Sequence, residues 1–217
     1  MNFFSALKRI LFIGDSITDC GRRTAEHAPL GCGYLNHLHL LSLARQPSRP
    51  IEFINRGIGG NTAEDLWSRW TEDVLAEKPD GLVVMIGIND CNRYVTNPQQ
   101  NEQQSPESYR QYLNDCLKET RNAFPSLPIL LAAPFFMGQS NDTRQYRGRV
   151  NQKLPEYHKQ LTALSEAHGT AYTDTQRAFQ SVLSYHPPSV ISEDMVHLNA
   201  LGAVILAEHY YRVLNED

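Results

Sequence analysis

Apolar residues gather in five short runs, at residues 9–14, 51–55, 81–87, 129–133 and 171–173. Each is too short for an ordinary helix and several are rich in Ile, Leu and Val, so they predict β-strands. Between and after them lie longer stretches with apolar positions at helical spacing: 33–44, 63–77, 108–124, 144–168, 176–184 and 200–214. They predict helices. Strands and helices in alternation imply a parallel sheet with helices on both faces.

Local signals sharpen some boundaries. In "SPESYRQYL", Ser105 can cap a helix with Pro106 in its first turn, and Lys78 with Pro79 closes the preceding helix. Pro155 falls inside the 144–168 stretch, where a missing backbone donor predicts a kink or a division into two helices. The polar segment 92–105, containing "NPQQNEQQS", reads as a surface loop after a strand end. Neither a repeat nor a change of composition divides the chain, so residues 1–217 are expected to form one domain.

Composition removes several functional classes. With 20% charged residues, 41% hydrophobic residues and a net charge of −4, the chain carries neither the signature of disorder nor a nucleic-acid footprint. No apolar run approaches the roughly 18 to 20 residues that span a bilayer, and "MNFFSALKRILFIGDS" lacks a secretory pattern. A cytoplasmic protein with neither membrane nor nucleic-acid partners is the expectation. The four cysteines, Cys20, Cys32, Cys91 and Cys116, contain no CxxC pair and are expected as free thiols.

Residues suited to acyl transfer follow the predicted strands. Ser16 lies in "GDSIT" after the first, Gly60 in "NRGIGGNT" after the second and Asn89 in "GIND" after the third, while "EDMVHLN" sets Asp194 three residues before His197. A serine hydroxyl needs a base to become a nucleophile, and histidine serves near neutral pH. A carboxylate on the other ring nitrogen fixes the tautomer and stabilises the imidazolium. The N–H groups of Ser16 and Gly60 and the amide of Asn89 would supply an oxyanion hole.

These blocks, in this order, resemble the SGNH hydrolase superfamily, also called GDSL esterases. The resemblance places the nucleophile on Ser16, the oxyanion donors on Ser16, Gly60 and Asn89, and the acid–base pair on Asp194 and His197. "LFIGDSITDCGR", "RWTEDV", "KPD", "MIGIND" and "DTQRAF" are similar to the bacterial intracellular acetylxylan-esterase-like branch. It implies a flavodoxin-like three-layer α/β/α fold with a five-stranded parallel sheet. It also implies cofactor-free and metal-free removal of O-acetyl groups from carbohydrates such as acetylated xylo-oligosaccharides, and a homo-oligomer is compatible with that branch. Three positions depart from the pattern: Leu198 where proline usually follows the histidine, Asn61 where aspartate commonly follows the glycine, and Glu193 where the branch has an aromatic residue.

Other readings compete at single positions. Alone, "GDS" is an ordinary turn with a capping residue. Asp15 and Asp90 are expected to shape loops rather than act on substrate. His37 and His39, two apart on a helix, point to different faces and do not make a metal pair. Trp67 and Trp70 are expected to share a packed face. An α/β-hydrolase would carry G-x-S-x-G, whose last glycine is Thr18 here. The alternatives in function are a lysophospholipase or thioesterase of longer acyl chains and a non-catalytic carbohydrate-binding protein.

Overall fold

The computed structural model describes residues 7–215, so the first six residues of the segment read above for a leader lie outside it. Five strands, β1 (Arg9–Gly14), β2 (Glu52–Gly57), β3 (Gly81–Met85), β4 (Ile129–Ala132) and β5 (Ala171–Thr173), form one sheet in the order β2-β1-β3-β4-β5. All neighbouring pairs are parallel. This is the flavodoxin-like order. The central strands β3 and β4 are buried along their whole length, which is why they read as unbroken apolar runs. Edge strand β2 buries only alternate residues, Phe53, Asn55 and Gly57.

The helices are α1 (Ser16–Asp19), α2 (Tyr34–Arg45), α3 (Ala63–Trp70), α4 (Ile88–Thr96), α5 (Pro106–Ala123), α6 (Tyr146–His168), α7 (Gln180–Leu183) and α8 (Ala200–Asn215). Helix α2 packs on α8, and α5 packs between α3 and α6. Beneath the first pair, Phe12 meets Tyr34, Phe53 and Tyr210 edge-on at ring separations of 6.0, 5.9 and 5.5 Å. In the second layer Trp70 donates from Nε1 to Thr120 Oγ1 at 2.9 Å. Tyr109 stands edge-on to Tyr157 at 5.2 Å and donates to the Ile86 carbonyl. Each fully buried aromatic of this kind contributes about 1.5–3 kcal/mol of burial free energy, and its polar tip needs the partner it has found.

Some expectations are corrected. The segment 92–105 is not all loop: residues up to Thr96 continue α4, whose Ile88, Cys91 and Val95 are buried. Pro155 sits inside α6 without dividing it. The 63–77 helix passes at Thr71 from α to π geometry, and 176–184 is a 3₁₀ turn followed by the short α7. Trp67 and Trp70 part company: Trp70 is buried, whereas Trp67 is 39% exposed.

Candidate active site

Strand order reverses about β1 and β3, and in open parallel sheets the crevice at such a switch point, beyond the carboxyl ends of the strands, is where ligands bind. Ser16 and Asn89 follow those two strands. Strand β1 ends on Gly14, where a Cβ would lie 2.2 Å from the Met85 carbonyl oxygen. Only glycine lets the chain leave the sheet there. Asp15, 1% exposed, then caps α1 by accepting from the Ile17 N–H at 3.0 Å. Burial raises its carboxyl to about 6 against the opposing pull of that N–H and of His197. Capping is the role its sequence position indicated, and it leaves Ser16 as the first residue of the helix.

Ser16 Oγ lies 2.8 Å from His197 Nε2, and His197 Nδ1 lies 2.6 Å from Asp194 Oδ2. The local turn explains the second contact: Asp194 Oδ1 accepts from the N–H groups of Val196 and His197 at 3.0 and 2.7 Å, and from Ser192 Oγ at 3.2 Å. Partial burial raises the Asp194 carboxyl, but the bonds from the His197 ring and the two N–H groups outweigh it and hold it at about 2. The carboxylate therefore keeps its charge down to about pH 2. Asp194 is thus expected to contribute no ionisation step to a kcat/KM profile above about pH 4, and an Asp194 carboxyl signal titrating above that pH by NMR would overturn this. The side chains of His197 and Asp194 are 57% and 56% exposed, so the relay opens directly to solvent.

On the other side of Ser16, the loop after β2 is pinned residue by residue. Ile58 N–H donates to the Gly14 carbonyl at 3.1 Å and Gly59 N–H to Asp19 Oδ2 at 3.0 Å. The Gly60 carbonyl accepts from Arg93 Nη2 at 2.8 Å, and the Asn61 carbonyl accepts from Asn89 Nδ2 at 3.0 Å. Gly60 has a φ of +80°, the left-handed region that favours glycine. Asn89 comes from the first turn of α4, and an amide carries two N–H donors, so Asn61 uses one and leaves the other for a ligand. Next to it, Asp90 is buried and accepts from the Ala63 N–H at the start of α3.

Burial raises the Asp90 carboxyl to about 7. A carboxyl raised above its unfolded value holds its proton in the folded state longer than in the unfolded one, so its contribution to stability is present at low pH and is lost as pH rises through about 7. Asp90→Asn is therefore expected to gain thermal stability relative to the wild type at about pH 8 compared with about pH 4.5. Parallel melting curves for the two proteins across that range would refute this.

A cavity of about 40 Å³ opens beside the Ser16–His197 contact, walled by Ile17, Cys20, Tyr34 and Leu198. Leu198, the departure from proline, thus supplies an aliphatic wall while the His197–Asp194 contact stays formed. All four cysteines are free thiols; Cys20 faces Cys32 across 3.4 Å, and burial together with that neighbour pushes its thiol up to about 12. The structure brings Ser16, Asp194 and His197 into one relay and places Gly60 and Asn89 on one linked loop system. Sequence reasoning missed Arg93, which holds the Gly60 carbonyl, and, though it singled out Leu198 and quoted the stretch containing Cys20, it gave neither a place in a cavity wall.

The chain belongs to the GDSL-like lipase/acylhydrolase family, whose model matches residues 12–205, and it is a carboxylic ester hydrolase. Within that family it falls in the acetylxylan-esterase-like branch. An acetylxylan esterase from Geobacillus stearothermophilus is 36% identical to it over 94% of this chain and 93% of its own. The crystal structure of an acetylxylan esterase from that organism superposes with a TM-score of 0.84 at 34% identity, covering 100% of this chain and 98% of the other. Catalytic mutants of that esterase, with a serine, a histidine or an aspartate replaced by alanine, match at TM-scores of 0.86, 0.85 and 0.86. An enzyme from the Lake Arreo metagenome, described as an α/β hydrolase, matches at 0.84 with 30% identity over 99% of this chain and 98% of its own.

Proposed function

We propose that the protein removes O-acetyl groups from carbohydrates, acetylated xylo-oligosaccharides among them, through an acetyl-serine intermediate. The observation that carries this reading is the cavity beside Ser16. Its volume of about 40 Å³ is only a few times the roughly 10–15 Å³ that one water-sized probe needs, which suits an acetyl methyl, while a wider cleft of about 290 Å³ lined by Glu193, Asp194, His197, Leu198 and Asn199 adjoins the same histidine. The exposed relay fits the complementary half of the substrate, a hydrophilic alcohol that stays largely in water. The similarity to an acetylxylan esterase along nearly the whole chain supports the same choice.

In this reading Ser16 Oγ attacks the ester carbonyl as its proton passes to His197 Nε2 across the 2.8 Å contact. Asp194 stabilises the imidazolium through Nδ1. The carbonyl oxygen gathers negative charge among the N–H groups of Ser16 and Gly60 and the free N–H of Asn89. Ser16 N–H stands in the first turn of α1, where helical donors lack an intrahelical acceptor. The imidazolium protonates the departing sugar oxygen, which leaves as the free hydroxyl, and water then attacks the acetyl-serine with His197 again as base, releasing acetate and returning the proton to Ser16. Asn89→Ala should lower kcat by about 10²–10³-fold, measured on an acetyl ester.

The acyl preference is read from a series of p-nitrophenyl esters. Activity should fall steeply beyond acetate; because each buried CH₂ is worth roughly 0.8 kcal/mol where a site receives it, a maximum at about eight carbons or more would overturn the acetyl reading in favour of a long-chain esterase. Release of acetate from acetylated xylo-oligosaccharides tests the carbohydrate half separately.

A further inference from the structure

One cation stands behind the loop that carries Gly60. Arg69, on α3 and 13% exposed, donates from Nε to Asn61 Oδ1 at 2.8 Å, from Nη1 to the Arg56 carbonyl at 2.9 Å and from Nη2 to the Gly14 carbonyl at 3.2 Å. Asp73, one turn further on, pairs with the same guanidinium. Gly14 is the last residue of β1 and Arg56 lies at the end of β2, so the planar fork spans both strands at the points where their chains turn toward the site. Its remaining contact, Asn61, leads onward, because the carbonyl of Asn61 is the acceptor that holds Asn89 Nδ2.

We propose that Arg69 is a positioning residue for the oxyanion hole, acting through Asn61 on the backbone of the adjoining Gly60 and on the amide of Asn89. The proposal rests on the reading of Gly60 and Asn89 as oxyanion donors. Arginine suits the place because a single rigid fork offers five donors, enough to tie two strand ends and a loop side chain together. Lysine would offer a point charge without that spread. The departure at position 61 also acquires a reason: an amide presents Oδ1 to Arg69 Nε as a carboxylate would, so the acceptor survives the exchange of aspartate for asparagine. Small displacements of such groups matter, since a shift of about 1 Å far from the reacting atoms can cost about 10²-fold in rate. Neither Asn61 nor the strand-end residues whose carbonyls Arg69 holds line the cavity beside Ser16, so the effect is expected on kcat and not on KM.

The test measures kcat and KM on p-nitrophenyl acetate for Arg69→Met, Asn61→Ala, Asn61→Asp, Asn89→Ala and the Asn61→Ala/Asn89→Ala double variant, with a melting curve for each. Arg69→Met and Asn61→Ala should lower kcat by about 10- to 100-fold with KM nearly constant. Asn61→Asp, which keeps an acceptor for Arg69, should recover most of the activity. If Asn61 works through Asn89, the cost of Asn61→Ala shrinks in the Asn89→Ala background, as coupled residues do. Should Arg69→Met fail to fold, the Asn61 variants and the double variant decide. Full additivity, a loss in KM alone, or an Asn61→Asp as poor as Asn61→Ala overturns the positioning role. An Asn89→Ala with unchanged kcat overturns the oxyanion reading beneath it, which is a distinct outcome.

Discussion

Ser16→Ala is expected to cut kcat on an acetyl ester by about 10⁶-fold, the size of the loss when the nucleophile of a serine hydrolase relay is removed, and to abolish covalent labelling by a fluorophosphonate. Among the described residues the hydroxyl bonds to His197 Nε2 at 2.8 Å, so its removal takes away the attacking atom and leaves the rest of the site standing. The cap of α1 is made by Asp15 and not by Ser16, and alanine is the better helix former by a few tenths of a kcal/mol. Thermal stability should therefore hold within the range of ordinary surface substitutions, about ±0.5 kcal/mol. A variant that melts normally yet does not label isolates the chemistry from the fold. If Ser16→Ala still labels, the nucleophile is elsewhere; if the wild type neither labels nor hydrolyses any acyl ester, the catalytic reading of the relay fails altogether.

Legibility in the sequence followed how local each interaction is. The buried strands announce themselves because β3 and β4, covered on both faces, tolerate almost nothing but aliphatic residues. Asp194 and His197 could be paired because three residues of one turn bring them together. Helix α4 escaped detection although Ile88, Cys91 and Val95 have helical spacing: its cap is Gly87, at φ +128° and with no side-chain bond, in place of a Ser, Thr or Asp signal. The polar run after it then reads as loop from the outset. Arg69 opens the quoted stretch "RWTEDV", yet nothing in that stretch marks it as a tie behind the site, because two of its partners are the carbonyls of Gly14 and Arg56, groups that every residue carries, brought close by the sheet. The same holds for the volume beside Ser16, which depends on Ile17 and Cys20 at α1, Tyr34 on α2 and Leu198 in the loop before α8 meeting there. The residues that meet in the relay were thus legible as a set, while the volume beside Ser16 was a property of the assembled walls.

The second large effect is expected from Asp194→Asn, a loss of about 10⁴-fold in kcat by the tautomer argument established for such relays, and the turn around it shows why an amide must fail. Asp194 Oδ1 receives the N–H groups of Val196 and His197. Both are donors, so an asparagine here has to place its own oxygen toward them. Its NH₂ then faces His197 Nδ1, where Oδ2 stood at 2.6 Å. A donor at that point requires Nδ1 to accept, which moves the ring proton to Nε2, and a protonated Nε2 cannot take the proton of Ser16. The turn itself survives, so the variant should fold. Its stability carries a further signature: the Asp194 carboxyl is held at about 2 in the folded state, and a lowered carboxyl contributes stability above its unfolded value that is lost as pH falls through the folded one. Any advantage of the wild type in melting temperature should be present at neutral pH and fade toward about pH 2. A variant with wild-type turnover would mean that another carboxylate orients His197, whereas Asp194→Ala, which also strips the two backbone donors of their acceptor, should lose more stability than Asp194→Asn.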